Sequence, residues 1–156
     1  MKKVSIAVLI VFAISSNVFA QSKKTLSKYG VRAVVETVTE DGQTINDSKK
    51  IFNKDGEVVE EVNYNKSGAV KDITKYTFDK SGNCIEESVL KDNKVVERKT
   101  TKYDVNGEKT EELLYDDENK LVKRHQYFYN AKGLKIEKRT LDSSGKVVSS
   151  HKFIYQ

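Results

Sequence analysis

Proline and tryptophan are absent from this 156-residue chain, and cysteine occurs only once, at position 84. A single thiol excludes an intramolecular disulfide, so the fold is not a small scaffold stapled by cystines. Without proline, every tight turn depends on Gly, Asn or Asp. Hydrophobic residues make up only 37% of the chain, part of them within the first twenty residues. This low content makes a thick, two-sided core hard to build.

Charge of a single sign is also lacking. Charged residues make up 33% of the chain, with both signs interspersed, and the formal net charge is +5. Without Lys2 and Lys3 there remain 26 basic and 23 acidic residues, a net charge of +3. Nucleic-acid binding typically requires clustered Lys and Arg on one surface. The sequence therefore predicts no nucleic-acid partner.

The first twenty residues have the pattern of a secretory signal. Lys2 and Lys3 are followed by an apolar run over 4–14, which is shorter than the roughly 20 residues that a membrane span requires. The small-x-small sequence at 18–20 predicts cleavage after Ala20. We expect an exported protein, periplasmic or secreted, with no stable membrane span after cleavage. A buried N-terminal helix or a retained anchor is the alternative.

One nine-residue phrase, clearest at 78–86, recurs from 52, 103 and 129, each copy 25 or 26 residues after the last. Its pattern is an aromatic residue, Asp or Asn, two variable residues, Gly, three variable residues and Glu. The Asp or Asn side chain accepts hydrogen bonds from backbone N–H groups further along the turn. The Gly supplies the positive φ that closes a type I turn into a G1 bulge. Each copy therefore predicts a strand, a tight turn and a second strand.

A second series of turn residues interleaves with the first, and an aromatic residue follows each member ten positions later. The members are Gly42, Gly68, Asn93, Asn119 and Gly145. Together the two series predict strands at 31–40, 43–52, 57–64, 69–78, 83–90, 94–103, 108–115, 120–129, 134–141 and 146–155. Residues 21–30 are interpreted as a loose polar lead-in, and 31–156 as a single domain of repeats.

Short turns force consecutive strands to be antiparallel neighbours, so the sequence predicts an all-β meander of about ten strands in one twisted or curled sheet. The alternative is a parallel β-solenoid with one repeat per coil. That fold would stack Glu60, Glu86 and Glu111 at about 4.8 Å, which costs about 0.9 kcal/mol per exposed pair. The meander separates these carboxylates by a strand and sets lysine-bearing long strands beside glutamate-bearing short ones. We therefore favour the meander.

The phrases Phe78-Asp79-x-x-Gly82-Asn83 and Tyr103-Asp104-x-x-Gly107 resemble YD repeats of the RHS type. The resemblance covers 39–156 and implies a meandering strip of hairpins, which in long proteins winds into a hollow shell. The period here exceeds the usual spacing of that family, and five repeats are too few to close a shell. In size, signal and composition the chain is similar to short, uncharacterised exported repeat proteins of Bacteroidota-type bacteria.

The residue types that usually carry catalysis or bind metals do not converge in the predicted meander. His125 and His151 occupy one column of the repeat with a strand between them, about 10 Å apart, which is too far to share a zinc ion. Adjacent glutamates such as Glu60 and Glu61 point to opposite faces of a strand. We therefore predict no catalytic residues, no metal site and no cofactor.

Aromatic residues are the remaining candidate for a site, because two of their columns are two residues apart and lie on one sheet face. This possible binding stripe comprises Tyr76, Phe78, Tyr103, Tyr127, Tyr129, Phe153 and Tyr155. One interpretation makes this face the core of the protein, closed by sheet curvature or by a second layer. The other leaves it exposed, to stack on sugar rings or to meet a protein partner.

The resulting hypothesis is a non-catalytic exported repeat module that presents a sheet surface, either to bind a glycan or an envelope or secreted protein, or in a structural role. The alternative is a small hydrolase acting on envelope polymers, which requires a pocket where non-repeated polar residues converge. The final strand, 146–155, is rich in β-forming residues and poor in charge. We expect it to be the edge more prone to self-association or to pairing with a partner strand. Cys84 is interpreted as a small buried residue in the place that Val58 holds one repeat earlier.

Overall fold

The computed structural model describes residues 23–156, so the predicted signal segment lies outside the described residues. This part of the chain forms one short helix, which was not predicted, followed by ten strands, each within a few residues of its predicted position. The helix is α1 (Lys23–Lys28), and the strands are β1 (Ala33–Glu40), β2 (Gln43–Phe52), β3 (Val58–Tyr64), β4 (Val70–Phe78), β5 (Cys84–Lys91), β6 (Lys94–Tyr103), β7 (Lys109–Tyr115), β8 (Leu121–Tyr129), β9 (Lys135–Asp142) and β10 (Val147–Lys152).

All ten strands belong to one antiparallel sheet in which each strand pairs with its neighbours along the chain, in the order β1 to β10. This topology confirms the predicted meander and excludes the parallel solenoid. The sheet is open and does not curl, so the curled form of the prediction is wrong. Across each hairpin the register shifts by one residue at a bulge, as the predicted turn geometry requires.

The turns of the repeated phrase form by the predicted mechanism. At the first of them, Asn53 Oδ1 accepts hydrogen bonds from the backbone N–H groups of Asp55 and Glu57 at 3.0 and 2.9 Å. Gly56 closes this turn with a φ of 79°. The same pair of bonds forms at Asp79, Asp104 and Asn130, and also at Asn65, Asp116 and Asp142 of the second series.

Two turns of the second series differ from the others. Asp41-Gly42 and Asp92-Asn93 are two-residue hairpin loops in which both residues have positive φ, between 50° and 78°. This is the type I′ geometry. The four-residue form needs Asp or Asn three positions before the residue of positive φ, and these turns have Thr39 and Leu90 there instead. The sequence interpretation treated the whole series as a single kind of turn.

Within the loose lead-in predicted for 21–30, residues 23–30 form α1 and a turn. Leu26 is 4% exposed and lies 26 residues before Phe52, the aromatic position of the first full repeat. Gly30 donates its N–H to the carbonyl of Ser27 at 3.1 Å, the same bond that closes the later turns. The segment is therefore an additional repeat in which a helix replaces the long strand. Terminal repeats of repetitive folds are commonly modified in this way.

Cross-strand pairing assigns every strand residue to one of two faces. Tyr76 pairs with Glu87, which pairs with Lys99, and the same row continues across Leu114 and Lys123. We call the face that bears this row the aromatic face. We call the other the arginine face, because it carries Arg98, Arg124 and Arg139.

The core of this sheet is thin. Within residues 23–156 the buried hydrophobic side chains are Leu26, Phe52, Val62 and Leu141. No large side chain there is fully buried. Much of the cohesion must therefore come from cross-strand pairs, each worth about 0.2–1 kcal/mol.

Ion pairs provide many of these cross-strand contacts, and adjacent glutamates serve opposite faces as predicted. On the arginine face, Glu111 contacts Lys102 at 2.8 Å, and on the aromatic face Glu87 contacts Lys99 at 2.7 Å. Basic residues on the long strands thus neutralise carboxylates on the short strands. This alternation agrees with the charge argument that favours a meander.

Candidate functional site

The seven aromatic residues of the predicted stripe lie on the aromatic face, and most of them are half-buried. Phe153 and Tyr155, just beyond β10, are 41% and 54% exposed. Neither curvature nor a second sheet covers this face in the described chain, so the expectation of a closed core is wrong. Within residues 23–156, α1 lies over one end of it.

Three tyrosines of the stripe donate hydrogen bonds to backbone carbonyls of a neighbouring strand, which the sequence did not predict. The hydroxyls of Tyr103, Tyr129 and Tyr155 donate to the carbonyls of Cys84, Lys109 and Lys135 at 3.0, 2.9 and 2.7 Å. Each acceptor is the first residue of the preceding short strand, where the bulge interrupts the ladder. The aromatic rings therefore lie across the sheet and tie a long strand to its neighbour. The recurring Tyr at this column is the sequence signal for this role.

The other two tyrosines of the stripe donate to carboxylates. Tyr76 donates to Glu61 at 3.3 Å, and Tyr127 donates to Glu112. Burial, reinforced by these carboxylates, raises the pKa of both phenols well above the usual value. Both tyrosines therefore remain protonated hydrogen-bond donors at any physiological pH.

A cleft of about 430 Å³ opens on the aromatic face beside α1, a volume within the range of small-ligand sites. Val58, Tyr76, Phe78 and Cys84 supply its apolar and aromatic side chains. The polar members of its lining are Lys23, Lys50, Glu57, Glu61 and Glu87. A larger hollow beside α1 is lined by lysine, serine and aspartate, and it has no aromatic residue.

The position of α1 creates one wall of this cleft. Lys23 Nζ lies 2.5 Å from Glu57 Oε1, and Ser27 Oγ donates to the carbonyl of Lys54 at 2.8 Å. The hydrogen bond from Lys23 lowers the pKa of the Glu57 carboxyl, and it outweighs the opposing effect of burial. Because sequence reasoning assigned no structure to 23–30, it could not place this wall.

Every carboxylate of the cleft has a basic partner. Glu57 pairs with Lys23, Glu61 pairs with Lys50 at 3.4 Å, and Glu87 pairs with Lys99. Burial raises the pKa of the Cys84 thiol, which keeps it protonated at neutral pH and a weak nucleophile. Cys84 occupies the same bulge position as Val58, as predicted, but it is half-buried rather than buried. The cleft therefore combines aromatic rings, ion-paired carboxylates and a protonated thiol.

The two histidines lie in β8 and β10, on the aromatic face, with β9 between them. His125 Nδ1 is 3.0 Å from Thr140 Oγ1, and burial, together with the nearby Lys138, lowers the pKa of its imidazole. Between Lys23 and Gln156, no three His, Cys, Asp or Glu side chains are grouped as metal ligands. The same stretch contains no helix of the length and apolarity needed to cross a membrane.

No family model matches this chain, and no curated protein matches it. Solved structures resemble it only weakly. TarM gives a TM-score of 0.30 at 19% identity over 89% of this chain, which spans about a quarter of TarM. A TcdB2-TccC3-TEV structure gives a TM-score of 0.37 at 14% identity. The match covers 80% of this chain and 8% of the TcdB2-TccC3-TEV chain. A protein of unknown function from Bacteroides fragilis gives a TM-score of 0.18 at 13% identity, and the match covers 81% of this chain and 96% of that protein.

Proposed function

We propose that this protein is a non-catalytic, exported repeat module that binds a glycan on its aromatic face. The observation that carries the proposal is the cleft beside α1, where Tyr76 and Phe78 adjoin paired lysines and glutamates. Half-buried aromatic rings provide an apolar platform at low entropic cost. Fixed charged groups around such a platform orient a polar ligand.

The pairing of charges favours a ligand rich in hydroxyl groups. A sugar hydroxyl can donate to Glu61 or Glu87 and accept from Lys50 without leaving an uncompensated charge. A ligand with a strong charge of its own would have to compete with the existing ion pairs of the cleft.

The hydrolase alternative has less support than binding. The cleft does bring polar residues together, but two of them, Glu61 and Glu87, occupy one column of the repeat, whereas a hydrolase would need non-repeated polar residues to converge. The carboxylates of the cleft are also ion-paired, and its thiol has a raised pKa. General acid and base groups typically have pKa values tuned towards neutral pH, and a nucleophilic thiol has a lowered pKa.

Export is part of the proposal, and it rests on the charged start, the short apolar run and the cleavage pattern of residues 1–20. We also propose that the Asp-x-x-Gly hairpins are related to YD repeats. Their turn geometry supports this relation, because the Asp or Asn and Gly of each phrase have the roles that the motif implies.

The test is a glycan-array and polysaccharide-binding screen on residues 21–156. Tyr76→Ala should weaken binding to the best glycan about tenfold, which corresponds to about 1.4 kcal/mol. Tyr115→Ala is the matched control, because Tyr115 lies on the opposite, arginine face. There, Cζ of Arg98 lies 4.1 Å from the centroid of the Tyr115 ring. Equal losses in both variants, or binding only to an envelope protein, would contradict the proposal. The mass of the glycan should be unchanged after incubation, and shortened products would favour the hydrolase.

A further inference from the structure

Two columns of the repeat on the aromatic face change in charge along the sheet. The first residue of each short strand from β3 onwards lies in one column of the repeat, which reads Val58, Cys84, Lys109 and Lys135. The residue three positions later lies in a second column, which reads Glu61, Glu87, Glu112 and Lys138. In β9, both columns therefore carry lysine. An apolar residue and a carboxylate at one end of the face are replaced by two ammonium groups at the other.

The lysines gather around Tyr127. The Nζ atoms of Lys109, Lys135 and Lys138 lie 5.9, 5.1 and 5.6 Å from the centroid of its ring. Lys135 is also 5.8 Å from the ring centroid of Phe153. These are cation–π distances, and the rings hold the ammonium groups near one another.

The comparison with Tyr76, at the same repeat position, shows what has changed. Tyr76 donates to Glu61 and has Glu87 as its cross-strand partner, so a carboxylate lies on each side. Tyr127 also donates to a glutamate on one side, but its cross-strand partner on the other is Lys138. Tyr127 therefore has a lysine, Lys138, at the position where Tyr76 has its second carboxylate, Glu87.

Two of the three lysines lack compensation by a carboxylate. Lys109 pairs with Glu112 at 2.6 Å, whereas within residues 23–156 neither Lys135 nor Lys138 has a carboxylate within ion-pair distance. His151 is the cross-strand partner of Lys138 and adds a further N–H group beside it. Other carboxylates of this region lie at its margins, at Glu108 in a turn and at Asp142 opposite Lys123.

We propose that Lys135 and Lys138, with Tyr127 and His151, bind the carboxylate or sulfate group of an acidic glycan. This inference rests on the proposed function, since it assigns a ligand class to the far end of the same face. Uncompensated ammonium groups beside an aromatic ring can bind an anionic group while the ring packs against the sugar. From β8 to β10 the four proposed residues span only about 10 Å, which suits a few sugar units better than the long phosphate track of a nucleic acid.

The experiment measures binding of residues 21–156 to oligogalacturonate, to a sulfated glucan and to their uncharged counterparts. Lys135→Gln combined with Lys138→Gln should weaken binding to the acidic ligands about tenfold, with little effect on neutral glycans. Lys71→Gln combined with Lys94→Gln is the control, because it removes the same net charge from exposed positions. The pair of acidic ligands distinguishes carboxylate from sulfate as the preferred group.

Equal losses in both double variants would overturn the inference, because net charge alone would then explain binding. Competition by a nucleic-acid oligonucleotide at equal affinity would also overturn it. If neutral glycans bind through Tyr76 but acidic ones do not bind at Lys135 and Lys138, the inference fails and the proposed function stands. If no glycan binds, both fail.

Discussion

Gly56→Ala offers a sharp test of how α1 is attached to the sheet. Gly56 has a φ of 79°, and a Cβ there would lie 2.2 Å from the backbone oxygen of Lys23. Gly107 closes the same kind of turn with a φ of 80°, but a Cβ there would meet nothing within 4 Å. The two alanine variants therefore share the backbone strain and differ in the clash with α1.

The strain of a left-handed alanine costs about 1–2 kcal/mol in both variants. In Gly56→Ala, α1 must also move, which exposes Leu26, whose burial is worth about 1.5–3 kcal/mol. The freed helix regains backbone entropy, which offsets part of that loss. We therefore expect Gly56→Ala to be less stable than Gly107→Ala by about 1–2 kcal/mol.

Urea denaturation of residues 21–156 measures the two free energies of unfolding, and amide exchange reports on α1. Exchange of the hydrogen-bonded amides of Tyr29, Gly30 and Val31 should accelerate in Gly56→Ala and remain slow in Gly107→Ala. Equal destabilisation of the two variants, with α1 protected in both, would refute the docking described for Leu26 and Lys23. Gly82→Val should cost little more than Gly107→Val, since the atom that a Cβ at Gly82 would meet at 2.8 Å is the end of the flexible Glu57 side chain.

Four other predictions concern charge, hydrogen bonding, association and export. Burial favours the protonated form of Glu112, but hydrogen bonds from Lys109 and Tyr127 outweigh it and lower the pKa of this carboxyl. The ionised Glu112 carboxylate therefore stabilises the fold above about pH 4.5, and this stabilisation is lost as the pH falls through the lowered pKa. Glu112→Gln should accordingly reduce the difference in urea midpoint between pH 7 and pH 3. Tyr129→Phe should cost about 1 kcal/mol in urea denaturation, because the carbonyl of Lys109 loses its donor, and a more stable variant would contradict this. Light scattering should show association of residues 21–156 at high concentration, because β10 is an edge strand whose Val148 and the nearby Ile154 are 58% and 86% exposed. Changing both residues to Lys should give a monomer. Monomers in both cases would exclude the β10 edge as an interaction site. Intact-mass measurement of the protein from its native envelope or medium should show cleavage after Ala20, and a product that retains Met1 would contradict export by this signal.

Much of the fold could be predicted because its information is local. Asp79 and Gly82 specify a hairpin through contacts within five residues, and the same chemistry recurs at fixed spacing. Because every hairpin is short, consecutive strands must be neighbours, and the strand order follows without any knowledge of distant contacts. The common face of Tyr76 and Tyr127 also follows, because side chains alternate along a strand.

The remaining features depend on contacts that a repeat pattern does not encode. Leu26 and Ser27 occupy the aromatic and Asp positions of a repeat without matching either residue type, so the first, helical repeat was missed. The cleft was missed with it, because α1 forms one wall. The openness of the sheet depends on the accumulated twist of ten strands rather than on any single turn. The tyrosine hydroxyl bonds required the register of neighbouring strands, which the sequence constrained only to within a few residues.

Methyl-resolved NMR during titration with the best glycan of the screen tests the central claim most directly. Leu113 and Leu114 are adjacent in β7 but lie on opposite faces, opposite Arg124 and Lys123 respectively. If the aromatic face binds the glycan, the methyl resonances of Leu114 should shift with saturation while those of Leu113 remain unchanged. Shifts confined to Leu113, or saturable binding without any shift at Leu114 or at Val58 and Val89 on the same face, would contradict the account.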